Sequence, residues 1–146
     1  MTLFPTPVLV ATDGTARSRA ALLAAVEICR ATNSPLHLVH AKVTASPLRG
    51  RPMTPTQRRT TEDEGAALLE REAGAAAEAG YEVAGTHLRH GERTDRVLAA
   101  VQDELHAGLL VVGAGSRSGS LVDRVLTPAG GSTVRQAPGS VLVVRS

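Results

Sequence analysis

Apolar residues fall along this chain in two alternating rhythms. Short runs without a polar break, "PVLVAT" (Pro7–Thr12), "GLLVVGAG" and "SVLVVR" (Ser140–Arg145), are rich in β-branched residues and bounded by Pro, Gly or Asp. They predict buried strands. "SPLHLVHAKV" (Ser34–Val43) and "YEVAGTHLRHG" predict two more. Between them the period lengthens. "TARSRAALLAAVEICRAT" sets Leu22, Val26 and Cys29 at helical spacing, with arginines and Glu27 elsewhere, so it predicts an amphipathic helix. "TEDE" at Thr61–Glu64 reads as a capping box opening a second helix, which runs to Gly80 as its C′ glycine. "ERTDRVLAAVQDELH" predicts a third, with Val97, Leu98, Val101 and Leu105 on one face. Ala45 to Gln57 carries three prolines and no period, and is expected to be a loop long enough to act as a lid or insertion.

Strands without a polar face need cover on both sides, as in a parallel sheet. Alternating strands and helices predict an α/β protein with a doubly wound five-stranded parallel sheet, order 3-2-1-4-5, in three α/β/α layers. A length of 146 residues fits one domain spanning the chain. In such sheets ligands bind beyond the carboxyl ends of the strands, where the strand order reverses. With this order Thr12-Asp13-Gly14 and Gly113–Ser116 face one crevice. Asp13 is then placed to bind ribose hydroxyls, or else to cap the first helix through an Asx turn. Thr127-Pro128 carries an N-cap and N1 signature, so a short helix is expected there, with Ala129 and Gly130 offering N–H groups to an anion. Pro128 offers none, and the Gly130-Gly131 pair weakens that helix by roughly 1 kcal/mol per glycine.

Composition narrows the chemistry. Hydrophobic residues make up 42%, net charge is +2, and Phe4 and Tyr81 are the only aromatics. So few rings argue against base-stacking on single-stranded nucleic acid. The arginines at 49, 51, 58 and 59 read as a solvated loop, so a nucleic-acid partner is not expected. One cysteine, Cys29, fits a reducing cytoplasm and sits on the buried helix face as inert core. No apolar run approaches the roughly 20 residues that span a bilayer, and the N-terminus lacks a signal-peptide pattern. The five histidines give no metal-ligand spacing: His37 and His40, like His87 and His90, point to opposite faces of a strand. The strand ends lack the extra carboxylates of a phosphoacceptor site, and no Gly-x-Ser-x-Gly elbow or Gly-x-Gly-x-x-Gly fingerprint is present. No catalytic residue is assigned, and a weak ATPase is the most the sequence allows.

"VLVATDGTARSRAAL", "LHLVHA" and "LLVVGAGSRSGSLVDRVL" followed by "VRQAPGSVLVVR" resemble the universal stress protein family along essentially the whole chain. The resemblance implies a cytoplasmic stress-response or regulatory protein with an adenine-nucleotide crevice. It implies ATP or a related nucleotide held by Thr12 and Asp13, by the Ala41 backbone toward adenine, and by a motif Gly-x-x-Gly, nine residues, then Gly-Ser or Gly-Thr. Gly113 matches the first glycine. Ser116 stands at the second, and Thr127-Pro128 falls at the Gly-Ser position after one extra residue, with Ala129 beside it. Gly131-Ser132 spells the pair but lies too far along. The phosphate motif is therefore degraded. The alternative is a dimeric interaction module of the same fold that binds no nucleotide and works with an unknown protein partner. The resemblance also implies a homodimer through the last strand, Ser140 to Arg145.

Overall fold

A computed structural model describes residues 2–43, 54–114 and 137–146. Five strands, β1 (Val8–Ala11), β2 (Leu36–Val43), β3 (Gly85–Gly91), β4 (Leu109–Ala114) and β5 (Ser140–Arg145), form one parallel sheet in the order β3-β2-β1-β4-β5. The sheet order expected from the sequence is the one observed. The short helix expected at Thr127 lies outside the described residues.

Each face of the sheet has its own core. Val8, Val10, Leu36, Leu38 and Val111 point to one side and meet α1 (Ala16–Thr32) and α2 (Pro55–Glu78). Leu9, Ala11, Val39, Leu110 and Val112 point to the other and meet Leu98 and Val101 of α3 (Thr94–Glu104). Every residue of β1 and β4 is buried, which is why these strands read as unbroken apolar runs. β5 differs. It lies at the sheet edge, and Val141 to Val144 are only half-buried.

Helix ends follow local chemistry. Thr15 caps α1 by accepting from the Ser18 N–H, and Asn33 closes it in the left-handed region at φ 56°. α2 corrects the sequence expectation. It starts at Pro55, not at Thr61, and its capping box is Thr54 with Gln57. Pro55 is an N1 proline, which opens a helix rather than marking a loop. The expected loop Ala45–Gln57 therefore ends before Thr54, and Arg58 and Arg59 sit on the exposed first turns of a helix. β3 is also shorter than expected. Tyr81 leaves the strand and donates its hydroxyl to the Ser34 carbonyl.

Two polar contacts lock elements together. The buried Glu72 of α2 receives Arg19 of α1 through Nε at 2.8 Å and Nη2 at 3.2 Å. This two-pronged geometry is the stronger form of the pair. Across β2 and β3, His37 Nδ1 and His87 Nε2 stand 3.2 Å apart, with near-parallel rings. Gly85 makes room for this pair, since a Cβ there would sit 3.0 Å from His37 Nδ1. One nitrogen must donate and the other accept, so the contact needs at least one neutral ring.

Burial lowers the pKa of both rings, and for His87 the nearby charges of His37 and Arg89 add to it, partly offset by Glu104. A folded value below the unfolded one means that the unfolded chain binds more protons. Stability is then expected to fall as pH drops below about 6.5. In an NMR titration both rings should change charge below the free-histidine value, and His37→Gln should raise the His87 midpoint. Midpoints at or above the free value would refute this coupling.

Candidate functional site

The carboxyl ends of β1, β2 and β4 meet at one rim. Val8, Leu9 and Val10 pair with Leu109, Leu110 and Val111. Continuing that register by two residues sets Thr12 level with Gly113. On the other flank Ala11 pairs with Val39, which sets Asp13 level with Ala41. Residues about a hundred apart in sequence thus share the sheet's switch point.

Thr12 forms the floor. It is 2% exposed, and its N–H donates to the Val39 carbonyl at 2.9 Å. Its carbonyl lies 2.7 Å from His40 Nδ1, so that nitrogen carries the proton. Its hydroxyl meets Ser18 Oγ at 3.3 Å. Ser18 Oγ also lies 3.1 Å from the Thr15 carbonyl, which takes the Ser18 proton, and 3.4 Å from the Asp13 N–H. The Thr12 hydroxyl is then the donor to Ser18. No motif marks His40 or Ser18 as site residues, yet both hold Thr12. Their signal was position alone: the same level on the neighbouring strand, and the first turn of the following helix.

Asp13 is exposed at the mouth. Its Oδ1 accepts from the Thr15 N–H at 3.0 Å and from the Thr15 hydroxyl at 2.5 Å. This is the Asx turn that the sequence left open as an alternative. Burial alone would raise its pKa. Hydrogen bonds outweigh this, those from the Thr15 hydroxyl and N–H foremost, and the carboxyl sits below the usual aspartate range. It stays charged at the mouth through neutral pH. Gly14 turns the chain at φ +80°, with Leu68 and Arg71 of α2 against it.

Gly113 has a packing reason to be glycine. A Cβ there would overlap the Arg17 carbonyl and lie 3.1 Å from Ser18 N. The first turn of α1 rests on this strand end. Ala41 lies on β2, half-buried against the second core. Among the expected site residues the structure thus brings together Thr12, Asp13, Ala41 and Gly113. Ser116, Thr127 and Ala129 lie outside the described residues. The described residues hold no group of three or more His, Cys, Asp or Glu at metal-ligand spacing. Cys29 is buried, and burial pushes its thiol up to about 11, far from a thiolate nucleophile at neutral pH.

A parallel α/β sheet whose strand order reverses beside β1, with charged and backbone groups gathered at that switch point, defines a doubly wound protein. Residues 6–145 match the model of the universal stress protein family, and the chain belongs to that family. A search of curated proteins by sequence finds no match. Among solved structures, a universal stress family protein from Burkholderia pseudomallei is similar at 22% identity, with TM-score 0.72 over 97% of each chain. The Archaeoglobus fulgidus universal stress protein in complex with dAMP is 20% identical, with TM-score 0.62 over 95% of this chain and 97% of that one. An Arabidopsis thaliana family protein with AMP bound is 21% identical, with TM-score 0.63 over 97% and 92%. These likenesses establish the fold. No helix among the described residues is long and apolar enough to cross a membrane.

The overlap at Gly113 yields a test. Gly113→Ala must push α1 away from β4, and should cost about 1–3 kcal/mol, read from the urea midpoint. An unchanged midpoint would mean that the glycine is there for a ligand and not for this packing.

Proposed function

We propose that this chain is a cytoplasmic, dimeric stress-response regulator that holds an adenine nucleotide across the rim between β1 and β4. The observation that carries the reading is the meeting of Asp13, Ala41 and Gly113 at one switch point, in a family whose solved members include proteins with AMP and dAMP bound. In this reading the Ala41 backbone faces adenine, and Asp13 faces the ribose through Oδ2, the oxygen that the Asx turn leaves open. Gly113 and Ser116 line the phosphate turn, and Thr127 and Ala129 present backbone N–H groups to it. Ser116 and Thr127-Pro128 replace motif glycine and Gly-Ser, and Pro128 removes one donor. Contacts to the outer phosphates are weaker for it, so the nucleoside and first phosphate supply most of the affinity. The reading includes no catalytic residue.

A second copy is expected at β5. Four consecutive apolar residues, Val141 to Val144, stand half-buried on an edge strand, which pairing would cover. Sedimentation at micromolar concentration should give twice the 15.1 kDa chain mass, and a 15.1 kDa species alone would contradict the dimer.

One observation favours a nucleotide-free interaction module: Asp13 Oδ1 and the space at Gly113 are already filled by the chain's own atoms. Calorimetric titration with AMP, ADP and ATP separates the two. The nucleotide reading predicts binding by AMP at Kd below about 1 mM, with little gain from the added phosphates. Absence of heat with all three at about 5 mM would leave the interaction module standing.

A further inference from the structure

A cavity lies at the same carboxyl end of the sheet, two strands outward from β1, where Arg89 is the register partner of Ala41. It is a groove of about 400 Å³ between the end of β3 and one flank of α3. Thr12, Asp13, Ala41 and Gly113 do not line it. Its origin is topological. β3 is the edge strand opposite β5, and α3 leaves it to travel back across the sheet toward β4. At the junction Gly91 presses on Val97, where a Cβ would overlap the valine side chain. The backbone therefore hugs the helix, and the groove opens along the next turns.

Helical spacing decides what faces it. Arg96, Ala100 and Glu104 are successive i, i+4 positions and form one stripe along the groove. Val97 and Val101 form its apolar floor, 9% and 1% exposed. Arg89 of β3 stands opposite and reaches Glu104 through Nη2 at 3.3 Å, with both side chains about half-exposed. Arg96 is exposed and makes no ion pair among the described residues. His90, Glu92 and Arg93 complete the border, with Arg93 held by Asp95 through Nε at 3.1 Å and Nη2 at 2.6 Å, so Arg96 is the main cationic anchor. An apolar floor with a few convergent charged groups, in this range of volume, is the usual form of a small-molecule site.

We propose that this groove binds a small organic anion, with a ring-sized apolar body on Val97, Ala100 and Val101 and a carboxylate or phosphate on Arg96 and Arg89. Guanidinium groups match both anions with paired N–H donors. Glu104 competes with the ligand for Arg89, so the ligand binds by displacing an internal, solvent-exposed ion pair.

The test uses the full chain with 1-naphthyl phosphate, 1-naphthoate and neutral 1-naphthalenemethanol, followed by backbone amide shifts in NMR. The two anions separate phosphate from carboxylate preference. At least one is expected to bind below about 1 mM, shifting amides of residues 89–104, while the neutral compound does not. Arg96→Glu, on an exposed position, should weaken binding about tenfold. Glu104→Gln should tighten it about threefold by freeing Arg89. The proposal is overturned if neither anion shifts these amides at about 5 mM, if the neutral compound binds as well, or if Arg96→Glu leaves affinity unchanged. It is overturned equally if the shifts centre on Asp13 and Gly113, which would place the anion at the rim. Failure here leaves the nucleotide reading untouched, because Arg96 and Glu104 take no part in it, although Arg89 neighbours Ala41 in the sheet.

Discussion

β1 has no face toward water, and the rest of the molecule follows from that. Its four residues are buried on both sides and paired in parallel on both edges. Two neighbours in parallel demand two crossover connections, and right-handed crossovers to opposite flanks put helices on opposite faces. The chain therefore winds left through β2 and β3 with α1 and α2 on one side, then returns across the sheet through α3 on the other. The reversal happens beside β1. The switch point between β1 and β4 is thus a consequence of how the central strand is buried.

At that point the chain satisfies its own polar groups first. Thr12, Asp13, Thr15, Ser18 and His40 form a connected hydrogen-bonded set spanning a strand end, a turn, a helix start and a neighbouring strand. Such a set fixes the turn after β1 before any ligand arrives, and little ordering remains to be done on binding. The close contact of Gly113 with Arg17 and Ser18 ties the same turn to β4. The rim is consequently rigid on its β1 side. Whatever binds there meets one open carboxylate oxygen on Asp13 and backbone, rather than a side-chain array.

Much of this was legible in the residues. Unbroken apolar strands announced a covered parallel sheet, and that in turn located Asp13 and Gly113 at one switch point. What sequence reasoning missed has identifiable causes. Three prolines without a period predict a loop through Gln57, yet Thr54-Pro55 with Gln57 is a helix-opening signature, so α2 begins earlier than that pattern suggests. Within each strand, spacing sets the histidines on opposite faces. The contact between His37 and His87 runs diagonally across β2 and β3 and depends on register, which spacing within one strand does not report. Gly113 carries a motif match in the sequence, and the fold adds a packing reason that the motif does not report: the α1 backbone occupies the place of its missing side chain. The groove beside α3 arises from a helix crossing an edge strand, an outcome of topology more than of any local motif.

The central claim is that the ends of β1 and β4 build one nucleotide-holding crevice. A crystal grown with AMP tests it most directly. The account predicts density for the nucleotide lying against Ala41, with its ribose beside Asp13 and its phosphate over the chain that follows Gly113. Nucleotide density lodged anywhere else on the molecule, with the rim empty at saturating AMP, would contradict it.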